Sequence, residues 1–104
     1  MSNTLKMYIC VKKSLPSHKC LIPAHASLMC HLKFAGKADY QKWLNKSFRK
    51  VVCEVSDAEF ELLKLEQDYI VITESAFGNA ECGLAFCPRP EWPEIFKKLE
   101  LLRL

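Results

Sequence analysis

The sequence has 104 residues, half of them hydrophobic, with 26% charged residues and a net charge of +3. A chain of that length buries roughly 65% of its unfolded surface around one core, so residues 1–104 are expected to fold as a single domain without staples. No apolar run approaches the roughly 18 residues of a membrane span, and Met1-Ser2-Asn3-Thr4 starts no secretion signal, so a soluble, cytoplasmic chain with no membrane partner is expected.

Residues 4–12 read as a strand with Leu5, Met7, Ile9 and Val11 on one face and Tyr8 and Cys10 on the other. Leu15-Pro16-Ser17 is a turn, and Pro23 suits the first turn of a helix, where its missing N–H costs nothing. Leu21, His25, Leu28 and Leu32, flanked by Ile22 and Met29, form one helical stripe that stops at Gly36. Asp39 can cap a second, short helix with Tyr40, Trp43 and Leu44 inward. Arg49 and Lys50 open the second strand. Ser56-Asp57-Ala58-Glu59 is a capping box, with Val55 and Phe60 placed for a hydrophobic staple, and predicts a helix to about Glu66. Residues 69–73 and 83–87 read as the third and fourth strands, joined by a polar loop. Pro90 is expected to start a last helix, with Glu91 and Glu94 in its first turn and Lys97 and Lys98 near its end. Residues 99–104 fit a helix or a short strand equally.

Apolar strands separated by helices predict an α/β fold: a three-layer α/β/α sandwich around a four-stranded, mostly parallel mixed sheet. Of the six cysteines, Cys10, Cys53, Cys82 and Cys87 fall in or beside apolar strands, where free cysteine behaves as a small apolar residue. Free thiols are expected. There is no Cys-x-x-Cys pair, and His18, His25 and His31 lack ligand spacing, so neither a metal nor another cofactor is expected.

Residues 17–31 follow directly on the first strand and gather all three histidines with Lys19, Cys20 and Cys30. A loop leaving the carboxyl end of a strand and feeding a helix is the usual ligand position in an open sheet, because it exposes free N–H groups at the positive end of the helix dipole.

Across nearly its whole length the chain resembles the peptidyl-tRNA hydrolase type II family. The resemblance rests on the opening strand and turn, on His25-Ala26, on residues 49–55 leading into Ser56-x-x-Glu59, and on residues 83–88. It implies hydrolysis of the ester joining a peptide to tRNA, with tRNA or peptidyl-tRNA as partner; a homodimer is compatible with it. The family's first helix opens with a glycine–lysine pair and carries a glutamine before the histidine–alanine pair. Aligned on His25 without a gap, His18 takes the lysine position and Ile22 the glutamine position; a one-residue gap brings Lys19 to the lysine position instead. Glu74 and Ser75 resemble the family's aspartate and threonine after the third strand, in a shorter loop.

Ester hydrolysis needs a base for water, a donor for the developing oxyanion and a grip on phosphate. His18, with an ordinary pKa of about 6.5, is the candidate base. Lys19 and the free N–H groups at the helix start are the candidate oxyanion donors, Glu74 is the candidate to orient His18 or the water, and the resemblance adds Ser75 to the catalytic set. His25 reads as a hydrogen-bonded core histidine on the apolar stripe, and through the resemblance as a substrate contact. Lys42, Lys46, Arg49 and Lys50, with Lys33 and Lys37, concentrate positive charge that would contact phosphates. Taken alone, that cluster reads as a solvated helix face. The missing Gly-Lys and Gln signals favour an alternative: a non-enzymatic descendant of the fold that binds RNA or a protein.

Overall fold

The computed structural model describes residues 5–17 and 19–103. Met7, Tyr8, Ile9, Cys10 and Val11 are all buried in strand β1 (Lys6–Lys12), which is paired on both edges. Helix α1 (Leu21–Phe34) and the short helix α2 (Ala38–Lys42) follow, and a π-helical turn, Trp43–Ser47, leads into β2 (Arg49–Val55). Then come α3 (Asp57–Leu63), β3 (Tyr69–Glu74), a 3-10 turn at Ser75–Phe77, β4 (Ala80–Phe86), α4 (Glu94–Lys97) and β5 (Glu100–Leu101).

The five strands form one mixed sheet in the order β3-β4-β1-β2-β5. This corrects the expected mostly parallel, four-stranded sheet. Only β1 and β2 pair in parallel, with Lys6 beside Arg49 and Lys12 beside Val55; the β1–β4, β3–β4 and β2–β5 pairs are antiparallel. The cause is the short β3–β4 connection, which can join only antiparallel neighbours and so seats β4 between β3 and β1. The open end of the chain resolves into a short edge strand. Strands β1, β2 and β3 still run in one direction, and their carboxyl ends share one edge.

Period-two alternation sorts the strand residues between two apolar cores. Met7, Ile9, Val11 and Ile72 meet Ile22, Ala26, Cys30 and Phe34 of α1, with Tyr40 and Trp43. Tyr8, Cys10, Cys53 and Val55 meet Phe60 and Leu63 of α3 and Phe96 of α4. All six cysteines are free, and all but Cys20 are buried.

The buried stripe of α1 is therefore Ile22, Ala26, Cys30 and Phe34 rather than the expected Leu21, His25, Leu28 and Leu32. Leu28 and Leu32 are 60% and 74% exposed. The choice follows from how closely the helix lies on the sheet. A Cβ at Gly83 of β4 would sit 3.0 Å from Ile22 Cγ2, a spacing that favours the small Ala26 and Cys30 on the inner face over leucines.

Two other helices are shorter than expected. Pro93 biases Trp92 away from helical geometry, so α4 begins only at Glu94 instead of Pro90. Helix α3 ends at Leu63 rather than near Glu66. Its capping box is complete: the Glu59 N–H donates to Ser56 Oγ at 3.1 Å, and the Ser56 N–H donates to Glu59 Oε1 at 2.8 Å. Ser56→Ala is expected to cost about 1 kcal/mol, read as a lower urea midpoint with an unchanged slope. At α2, by contrast, Asp39 lies inside the first turn and Lys37 is the capping position, without a side-chain cap. No helix among the described residues is long and apolar enough to cross a membrane.

Candidate active site

Glu74 is the last residue of β3 and the only buried acidic residue among those described, at 9% exposure. It follows Ile70 and Ile72 at even spacing, so the strand's alternation aims it at the face covered by α1. There His25 Nε2 lies 2.8 Å from Glu74 Oε1. The second carboxylate oxygen accepts from the Ala76 N–H at 3.0 Å and from the Ser75 hydroxyl at 3.3 Å. These partners, the Ala76 N–H first and His25 next, hold the Glu74 pKa below its ordinary value. An ionised carboxylate can only accept, so Nε2 of His25 carries a proton, and in the neutral form of the ring the lone pair is on Nδ1. The imidazole remains 41% exposed while its carboxylate partner is buried. The result is an oriented imidazole at the carboxyl edge of the sheet.

The residues selected from sequence distribute unevenly around this pair. His18 lies outside the described residues. Lys19 is on the loop before α1, and its ammonium meets Glu54 Oε2 of β2 at 3.0 Å, with both side chains partly buried. Lys19 and Glu74 therefore occupy the same sheet edge while each binds another partner. Ser75 contacts Glu74 rather than His25, so no imidazole activates its hydroxyl as a nucleophile. His25 is not the enclosed core histidine that the apolar stripe suggested; it is hydrogen-bonded and open to solvent. Its pairing with Glu74 went unnoticed in the sequence, although the stripe Ile22, Ala26, Cys30, Phe34 carries the signal, because it turns His25 to the flank of the helix.

The basic cluster lies at the opposite edge. Lys42 ends α2, Lys46 is in the π-helical turn, and Arg49 and Lys50 begin β2. A strand of seven residues separates that edge from the carboxyl edge by about 20 Å. Lys42, Lys46 and Arg49 have no acidic partner among the described residues. Lys37 meets Asp68 at 3.6 Å, and Lys33 donates to the Tyr69 carbonyl at 3.3 Å. Lys50 sits 3.5 Å above the ring of Phe48, which stacks on Trp43, and partial burial there lowers its pKa. Because successive strand residues alternate, Arg49 and Lys50 serve opposite faces of the sheet. Among the described residues no group of histidine, cysteine and acidic side chains could hold a metal ion. In comparisons with known proteins, the chain matches no protein-family model and no curated protein sequence.

Proposed function

We propose that the chain is a cytoplasmic ester hydrolase of the peptidyl-tRNA hydrolase type II kind, an α/β/α sandwich that cleaves the bond joining a peptide to tRNA. The observation that carries this reading is the bond from His25 Nε2 to the buried, ionised Glu74 at the carboxyl edge of the sheet. Apolar cores on the two faces of the sheet support the layered architecture.

In this mechanism His25 Nδ1 takes a proton from water as the water oxygen attacks the ester carbonyl. Glu74 stabilises the imidazolium that forms. The first free N–H groups of α1 supply positive charge for the tetrahedral oxyanion, while Lys19 stays paired with Glu54. Collapse of the intermediate breaks the bond to the ribose oxygen, which receives the proton from His25, releasing free peptide and tRNA. The tRNA body extends to the amino edge, where Lys42, Lys46 and Lys50 meet its phosphates.

The separation of this edge from His25 favours a second reading, in which the fold binds RNA without turnover. Incubation with peptidyl-tRNA, with a simple aryl ester as control, decides between them. Release of peptide from peptidyl-tRNA alone is the expected result; tRNA binding without release would replace hydrolysis by the second reading. For the binding face, Lys42→Ala or Lys46→Ala is expected to weaken tRNA binding and to lower the slope of log affinity against log salt by about 0.9 for each phosphate left without its cation. Unchanged affinity and slope would remove this edge from RNA recognition.

A further inference from the structure

A polar cavity opens at the amino edge of the sheet, on the face opposite α1. Its volume is about 400 Å³, and its walls include Lys6 of β1, Arg49 of β2 and Lys97 of α4, with Tyr8, Trp92 and Glu91. That is within the range of pockets that take small ligands.

Lys6 and Arg49 are direct register neighbours in the parallel β1–β2 pair. Like charges placed side by side on one face of a sheet repel each other. Nothing among the described residues relieves that repulsion, because neither side chain has an acidic partner. Lys97 meets only Glu94, at 3.9 Å, with both side chains well exposed, so its charge stays available. Three cations and one acid, Glu91, therefore line the cavity. In addition, the indole N–H of Trp92 is buried without an acceptor.

We propose that this cavity is a binding site for a phosphate monoester, with Lys6, Arg49 and Lys97 around the phosphate. A phosphate dianion neutralises the paired like charges and accepts several hydrogen bonds at once, with the Arg49 guanidinium able to donate two in parallel. Tyr8 and Trp92 form a stiff floor: their ring centroids lie 4.7 Å apart, and both pack on Phe96. The remainder of the ligand projects through the mouth of the cavity, where Glu91 can accept from a hydroxyl group. The site does not depend on the His25–Glu74 pair, which lies at the far edge and under the other face.

The test is titration of the full chain with AMP, inorganic phosphate and adenosine, followed by amide and indole NMR shifts. Saturable shifts at Tyr8, Arg49 and the Trp92 indole are expected with AMP, and adenosine should leave them unmoved. Equal affinity for inorganic phosphate assigns recognition to the phosphate alone, and tighter binding of AMP adds the nucleoside to the site. Arg49→Met should weaken AMP binding at least tenfold yet melt no lower than the unliganded wild type, since it removes a repulsion. Lys98→Met, outside the cavity lining, should bind AMP normally. Absence of saturation, equal response to adenosine and AMP, or an Arg49→Met chain that binds as tightly would each overturn the proposal.

Discussion

Glu74→Gln is expected to lower kcat for peptidyl-tRNA about a hundredfold while leaving KM nearly unchanged, and His25→Ala to lower it at least as far. The reason is a division of labour between the two residues. In the proposed mechanism His25 is the base that takes the proton from water, and Glu74 acts through His25 by fixing its proton on Nε2 and stabilising the imidazolium. The glutamine amide still reaches His25 Nε2, but it brings no negative charge, so transition-state stabilisation falls while substrate binding is kept. Lys46→Ala should do the reverse, raising KM with kcat intact, since the contact proposed for it with tRNA is the same in ground and transition states. Acid titration supplies an independent readout of the Glu74 charge. Its folded pKa lies below the ordinary 4.5, so the ionised form stabilises the fold above that pH, and the contribution is lost as pH falls through the folded value. The difference in stability between wild type and Glu74→Gln should shrink on acidification below about 4.5. Turnover untouched by both substitutions would remove this pair from catalysis, and a pH-independent stability difference would show that the Glu74 carboxylate is not held ionised by its neighbours.

Local signals in the sequence were strong where the physics is local. The Ser56–Glu59 capping box and the four apolar strands depend on neighbours within a few residues, and each is present in the structure. The inner face of α1 depends on the depth of the sheet beneath it. Leucines outrank alanine and cysteine in hydrophobicity, so the stripe through Leu21, Leu28 and Leu32 looks inward, while the close approach at Gly83 favours the stripe one to two positions on, with the small Ala26 and Cys30 at its centre. That single rotation also decides whether His25 is enclosed or reaches the flank to meet Glu74. The basic cluster was visible as composition, yet its division between two faces follows from strand parity at Arg49 and Lys50. The pairing of Lys6 with Arg49 needed the β1–β2 register, and the expected role of Lys19 beside Glu74 overlooked Glu54, whose position is set by the same register.

Gly83→Ala is expected to be among the most destabilising single substitutions in the chain, by about 3 kcal/mol, although it adds only one methyl group. Gly83 sits in β4 between Val11 of β1 and Ile72 of β3. A Cβ there would lie 2.6 Å from the Cys10 carbonyl oxygen and 3.0 Å from Ile22 Cγ2. The isoleucine can yield by a change of rotamer, but the carbonyl belongs to the central strand and moves only with it. For a domain of this size the expected fall in Tm is about 15 °C, measurable by circular dichroism. The consequences extend to the site, because the register of β3 against β4 shifts immediately beyond the Ile72–Gly83 pair, just before Glu74. Displacing β4 there moves Glu74 relative to α1 and lengthens its bond to His25, so any folded Gly83→Ala protein should also lose turnover. A variant that melts with the wild type would mean that α1 and β1 can part at little cost, and that the close packing at Gly83 does not hold His25 against Glu74.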